Sequence, residues 1–182
     1  MKRRLGALTT FLAVSALPVT TLASESDAEG ASIALLAGYG ESTSVNVLGF
    51  GAGFRTGYRL DVGLYLGALA LAHLGTSDDW EPEVRHHAQS ARGEIGYEFR
   101  VQKLALRPTL RAGAALVTTS RDMNDGFVSP QIGLGLTLLL ELDHWLVGVD
   151  GDSHFLTRPV EQFDNSSSIA GLAVYLSGGY QF

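Results

Sequence analysis

The sequence predicts an all-β fold: an eight-stranded antiparallel up-and-down transmembrane β-barrel, preceded by a cleavable signal peptide. Three observations carry this expectation. Eight segments alternate apolar with small or polar residues at period two. The breaks between them are short and long by turns. One of the two faces, followed through all eight segments, carries no charge.

The elements follow in chain order. Lys2, Arg3 and Arg4 form a basic start, Leu8 to Leu17 a short apolar run, and Thr21-Leu22-Ala23 a cleavage site with small residues at −3 and −1. The run is too short for a membrane helix, which needs about 20 residues. Residues 1–23 are therefore expected to be a signal peptide and 24–182 the barrel. Without Lys2, Arg3 and Arg4, 10 of the 13 basic residues remain against 19 acidic ones, a net charge of −9. That balance argues against nucleic acid as a partner. The chain has no cysteine, so its stability must come from backbone pairing and packing.

The alternating segments cover roughly 31–40, 46–58, 62–75, 89–101, 104–118, 127–142, 145–156 and 169–182. Tight breaks fall at 59–61, 102–103 and 143–144, and polar, mostly longer ones elsewhere. The uncharged face reads Ile33, Leu35, Ala37 and Tyr39 in the first strand, Leu48, Phe50, Ala52 and Phe54 in the second, and Val62, Leu64, Leu66 and Ala68 in the third. It continues through Ile95, Tyr97, Phe99 and Val101, then Leu104, Leu106, Leu110 and Leu116, then Ile132 to Leu140 at every second position, then Trp145, Val147, Val149 and Phe155, ending on Leu172, Val174, Leu176, Tyr180 and Phe182. The opposite face holds Arg55, Arg92, Glu94, Glu98, Arg100, Arg107, Arg111, Glu141, Asp150, Asp152 and His154, interleaved with glycines; Arg59 fits either a turn or this face. The second face of the third strand (Tyr65, Leu69, Leu71, His73) is also largely apolar, so its assignment is less clear.

A soluble barrel would turn the apolar face inward, whereas a membrane barrel inverts it, because a lipid-facing charge costs about 2–4 kcal/mol at mid-bilayer. Inversion is favoured by strands of roughly 10–16 residues, which cover the 9–11 that a tilted crossing needs. It is favoured too by aromatics near the short-turn ends (Tyr58, Tyr97, Phe99, Trp145, Tyr180, Phe182) and by short turns on one side with long loops on the other. An open edge in lipid leaves backbone groups unsatisfied, so the first strand must pair with the last. Eight strands enclose an interior that side chains fill, which argues against an open porin.

The final alternation, Leu172, Val174, Leu176, Tyr180 and Phe182, with a terminal aromatic, resembles the C-terminal signature of bacterial outer-membrane β-barrels. The whole stretch after residue 23 is similar in architecture to the small eight-stranded class, such as the membrane domain of outer membrane protein A and outer membrane protein X. The resemblance implies that those five residues are read by the barrel-assembly machinery. It also implies contact with outer-membrane lipid and lipopolysaccharide, and both termini in the periplasm.

Chemistry is sparse. Asp78, Asp79, Glu81, Glu83, His86 and His87 lie in one polar loop, but no spacing matches a metal site. Ser153 and His154 are neighbours on a strand and point to opposite faces, so they make no dyad, and the H-x-S-N pattern of lipid A deacylases is absent. The glycine run 49–57 lacks the spacing of a nucleotide loop. No cofactor, metal or catalytic residue is expected. The leading expectation is a non-enzymatic envelope protein. A narrow channel or carrier for small hydrophobic molecules, and a lipid A-modifying enzyme, are the alternatives. If Gln102-Lys103 is a two-residue hairpin, paired residues sum to 205, and Glu94 meets Arg111 while Glu98 meets Arg107 in the lumen. A one-residue slip would send all four charges into lipid. On this reading, swapping the charges of Glu94 and Arg111 should recover part of the stability lost in either single variant.

Overall fold

The computed structural model describes residues 30–43, 48–77, 85–119, 127–157 and 168–182. They form one sheet of nine segments: β1 (Gly30–Ser42), β2 (Gly49–Arg59), β3 (Leu64–Ser77), β4 (Arg85–Tyr97), β5 (Phe99–Val101), β6 (Leu104–Thr119), β7 (Phe127–Leu142), β8 (Trp145–Thr157) and β9 (Ser168–Gln181). Every pairing is antiparallel, and β1 pairs with β9, so the sheet closes on itself. β4 and β5 both pair with β6 in one register and make a single barrel strand interrupted at Glu98. Pro108, opposite Tyr97 in that register, has no N–H for the ladder. The Glu98 N–H points to the other side of the strand and donates to Gly63 O in the β2–β3 turn at 2.8 Å. The barrel therefore has eight strands.

The strands are staggered. Following paired residues around the ring leads from Gly30 through Arg59, Tyr65, Gly96, Thr109, Gly135, Asp152 and Ala173 to Gly40, ten residues further along β1. That shear tilts the strands and places side chains of distant strands at one height in the lumen. On β9 the outward residues Leu172 to Phe182 span ten residue steps. At about 3.3 Å per step and a tilt of about 40° they cover about 25 Å, the height of an apolar membrane band.

The turns fix the register. Gln102 and Asp143 have φ of 56° and 57°, the positive φ that two-residue hairpins demand. The β2–β3 connection differs from the sequence reading. Leu60 N–H bonds Leu64 O and Gly63 N–H bonds Leu60 O, both at 2.9 Å, with Gly63 at φ 83°. Val62, expected to open the third strand, therefore lies in the turn. The strands beside the expected 76–88 loop are longer than alternation suggested, since β3 reaches Ser77 and β4 starts at Arg85.

Large apolar side chains cover the outside, Leu35, Phe50, Leu134 and Leu176 among them, and no Arg, Lys, Asp or Glu interrupts the outward rows between the two mouths in the described strands. At the turn end, Tyr180 packs edge-on against Trp145 and Phe182, with centroids 5.5 and 5.1 Å apart, and Tyr97 packs on Phe99 at 4.8 Å. Tyr39 and Phe50 pair at 5.3 Å toward the other end. Leu48 is a correction. Expected outside, it is buried at 2% exposure inside the loop end. Gly49, with φ 79°, breaks the alternation there and turns Leu48 inward.

Candidate functional site: the charged lumen

The interior is layered from the turn end upward. In the lowest layer Glu98 receives three arginines. Arg107 Nε donates to it at 2.8 Å, with a second contact from Arg107 Nη2, Arg100 Nε donates at 2.6 Å, and Arg59 Nε lies 3.7 Å away. Arg100 also reaches Glu141 at 2.6 Å and Gln181 at 3.4 Å. The Arg107 guanidinium carbon sits 3.8 Å above the Tyr65 ring.

The middle layer is a closed cage. Arg111 donates to Glu94 at 2.8 Å, Asp152 at 2.7 Å and Asp150 at 3.0 Å. Arg55 contacts the other Glu94 oxygen at 2.9 Å and Asp150 at 2.7 Å. Arg92 holds Asp152 with both oxygens at 2.9 Å. Thr137 donates to Asp150. Three guanidiniums thus meet three carboxylates from β2, β4, β6 and β8, all of them buried. Bare charges in such a place would be expensive, and the pairing is what permits them. Glycines give the arginines room: a Cβ at Gly135 would lie 2.1 Å from Arg111 Cζ.

Above the cage, His154 Nδ1 lies 3.0 Å from Asp152, and His73 Nε2 lies 2.7 Å from Tyr175 Oη. Toward the loop end the lumen holds an apolar cluster of Leu48, Ala88, Ala115, Val117, Leu156 and Ile169, with Phe127 packed on it.

All eleven lumen residues named from the sequence face the interior, and the expected registers Glu94–Arg111 and Glu98–Arg107 are formed. Arg59 belongs to the lumen, as do Tyr65, Leu69, Leu71 and His73 of β3. Tyr175, Thr137 and Gln181 are buried in the lumen too, and their parity along the strand is the sequence signal for them. Ser153 turns away from the lumen, with Oγ 3.5 Å from Leu134 O, while His154 is buried inside. Asp78, Asp79, Glu81 and Glu83 lie outside the described residues, and His87 is half-buried on the outward face of β4. Leu172, Val174, Leu176 and Phe182 are exposed on the outer wall and Tyr180 half-buried there.

Neither a protein-family model nor a curated protein sequence matches the chain. Solved structures do. Neisserial surface protein A aligns with a TM-score of 0.64 at 12% identity, covering 84% of this chain and 97% of that one. It has the fold of the small outer-membrane barrels. Ail, the attachment invasion locus protein of Yersinia pestis, gives 0.53 at 13% identity, covering 85% and 97%. A major outer membrane protein of Thermus thermophilus gives 0.53 at 13% identity, covering 85% and 100%. The shared property is the eight-stranded antiparallel barrel.

Proposed function

We propose that the chain is a non-enzymatic bacterial outer-membrane protein with both termini in the periplasm and a plugged lumen. In this reading it serves envelope structure or surface interaction through its exposed loops. The observation that carries it is the cage: Arg111 is 0% exposed and is held by three carboxylates, filling the interior with mutually paired charge. A channel needs a continuous wet path, and this layer offers side chains in its place. The apolar belt and the aromatic rings at the turn end support lipid, including the acyl chains of lipopolysaccharide, as the surrounding solvent. Assembly by the barrel machinery through Leu172, Val174, Leu176, Tyr180 and Phe182 belongs to the same reading. A lipid A enzyme is disfavoured because Ser153 and His154 stand on opposite sides of the wall.

Fractionation of expressing cells tests the proposal. The protein should band with outer membranes, migrate faster on gels before boiling than after, and leave the mass spectrum of lipid A unchanged. A soluble periplasmic product would refute the location, and a new lipid A species would refute the non-enzymatic reading.

A further inference from the structure

The outer wall is uneven. On β7 every outward position from Ile132 to Leu142 is Ile or Leu. On β3, β4 and β6 the large side chains give out. Ala70, Ala91 and Ala114 pair in one row across the three strands, and the small residues continue one row toward the turn end at Ala68, Gly93 and Ala112. Phe54 on β2 stands beside Ala70, and Leu116 and Val128 stand on the far side. The result is a trough of about 520 Å³ in the wall. Its floor spans two strand spacings, about 10 Å. Ala91 lies six residues from Arg85 at the loop end of β4 and ten from Val101 beside the turn, so the trough belongs to the loop-side half of the apolar belt.

The upper edge of the trough is polar. Gln89 pairs with Ala72 and Leu116, is exposed on the outer wall, and its amide makes no hydrogen bond to the described residues. One step above, on the same face, the buried Nδ1 of His87 has no partner among them either. A bare amide against hydrocarbon is costly, so this edge calls for a ligand with its own donor and acceptor. Acyl chains alone give no hydrophobic drive in lipid, so selective binding here comes from close packing and hydrogen bonding.

We propose that the trough binds one acyl chain of a lipid A molecule in the loop-side leaflet. The chain lies on the Ala70, Ala91 and Ala114 floor, and the carbonyl at its head accepts a hydrogen bond from the Gln89 amide. The proposal rests on the outer-membrane location given above, which puts lipid A in that leaflet. Lipid A fits because its chains are joined through amide and ester carbonyls and carry hydroxyls close to the head, matching an amide at the top of an apolar trough. A second copy fits poorly, since a two-fold contact sets one trough against the other and fills neither.

Native mass spectrometry of the full barrel in detergent, with equal amounts of lipid A and dimyristoylphosphatidylglycerol added, tests this. The barrel should retain one lipid A in preference to the phospholipid. Ala70→Leu/Ala91→Leu, which fills the floor, should abolish the preference. Gln89→Leu should lower lipid A retention about fivefold, the value of one ordinary hydrogen bond. Heat-modifiable migration checks that each variant is folded, and Gln89→Leu keeps the test decisive should the double variant fail. Leu176→Ala, on the opposite wall, should retain lipid A as the unmodified barrel does. Because lipid A is supplied directly, failure here counts against the trough, whereas a wrong location shows in the cell fractionation. Equal retention of both lipids would overturn the proposal, as would retention indifferent to Gln89→Leu and the filled floor. A dimer lost on filling the floor would also overturn it and give the face to a second copy.

Discussion

Removing Arg111 takes one cation from a layer of three cations and three anions. In Arg111→Ala, Glu94 and Asp150 keep Arg55, and Asp152 keeps Arg92 and His154. Two guanidiniums then face three buried carboxylates. Breaking one partner of a buried ion pair costs about 3–5 kcal/mol, because a charge is left uncompensated. Glu94→Ala leaves the opposite surplus, but Arg55 keeps Asp150 and Arg111 keeps both aspartates, so its cost should fall near the lower end, about 3 kcal/mol. The double variant restores the balance at two against two and should cost less than the sum, with a coupling of roughly 1–3 kcal/mol. The charge-swapped pair, Glu94→Arg with Arg111→Glu, separates a network from an isolated pair. It would set a guanidinium where Arg55 now finds a carboxylate at 2.9 Å, and a carboxylate between Asp150 and Asp152. The cage thus replaces the recovery expected from sequence with the reverse: the swap should be less stable than either single variant. Urea unfolding of the barrel in lipid vesicles, followed by tryptophan fluorescence, measures each value. A swap that returns to within about 1 kcal/mol of the native protein, or a coupling near zero, would refute the cage.

Four further outcomes follow from particular residues. Gly135→Ala should destabilise by about 1–3 kcal/mol in the same unfolding assay, because its Cβ displaces the Arg111 guanidinium from the cage. Gln102→Gly should stabilise by roughly 0.5–1 kcal/mol, since glycine accepts the positive φ that glutamine holds there; an unchanged or lowered unfolding midpoint would count against that turn. Deleting Phe182 should lower the amount of heat-modifiable barrel in membranes, and normal assembly would exclude a terminal-aromatic signal. Single cysteines at Lys103 and Asp143 should resist a membrane-impermeant maleimide on intact cells and react after permeabilisation; the opposite pattern would invert the topology.

Much of this architecture could be read from local pattern. The Gln102-Lys103 hairpin sets one register, and that register places Glu94 on Arg111 and Glu98 on Arg107 without adjustment. What stayed hidden arises from closure. Arg55 on β2 meets Asp150 on β8, and Arg92 on β4 meets Asp152, across the lumen, at heights set by the ten-residue stagger of the closed ring. No nearest-neighbour pairing rule can deliver such contacts. Alternation carried through Gly49 puts Leu48 outside, but the positive φ of Gly49 resets the faces. Tyr65, Leu69, Leu71 and His73 were ambiguous because an apolar residue fits either the lipid or a packed lumen, whereas a charge fits only the lumen.

The proposed function requires a lumen sealed by paired charge within a membrane barrel. Single-channel recording of the purified barrel in planar bilayers tests this most directly. The cage predicts a silent membrane across the voltage range, with no discrete, reproducible current steps. Stable ohmic openings of uniform size in the unmodified protein would show a continuous aqueous path and contradict the sealed lumen.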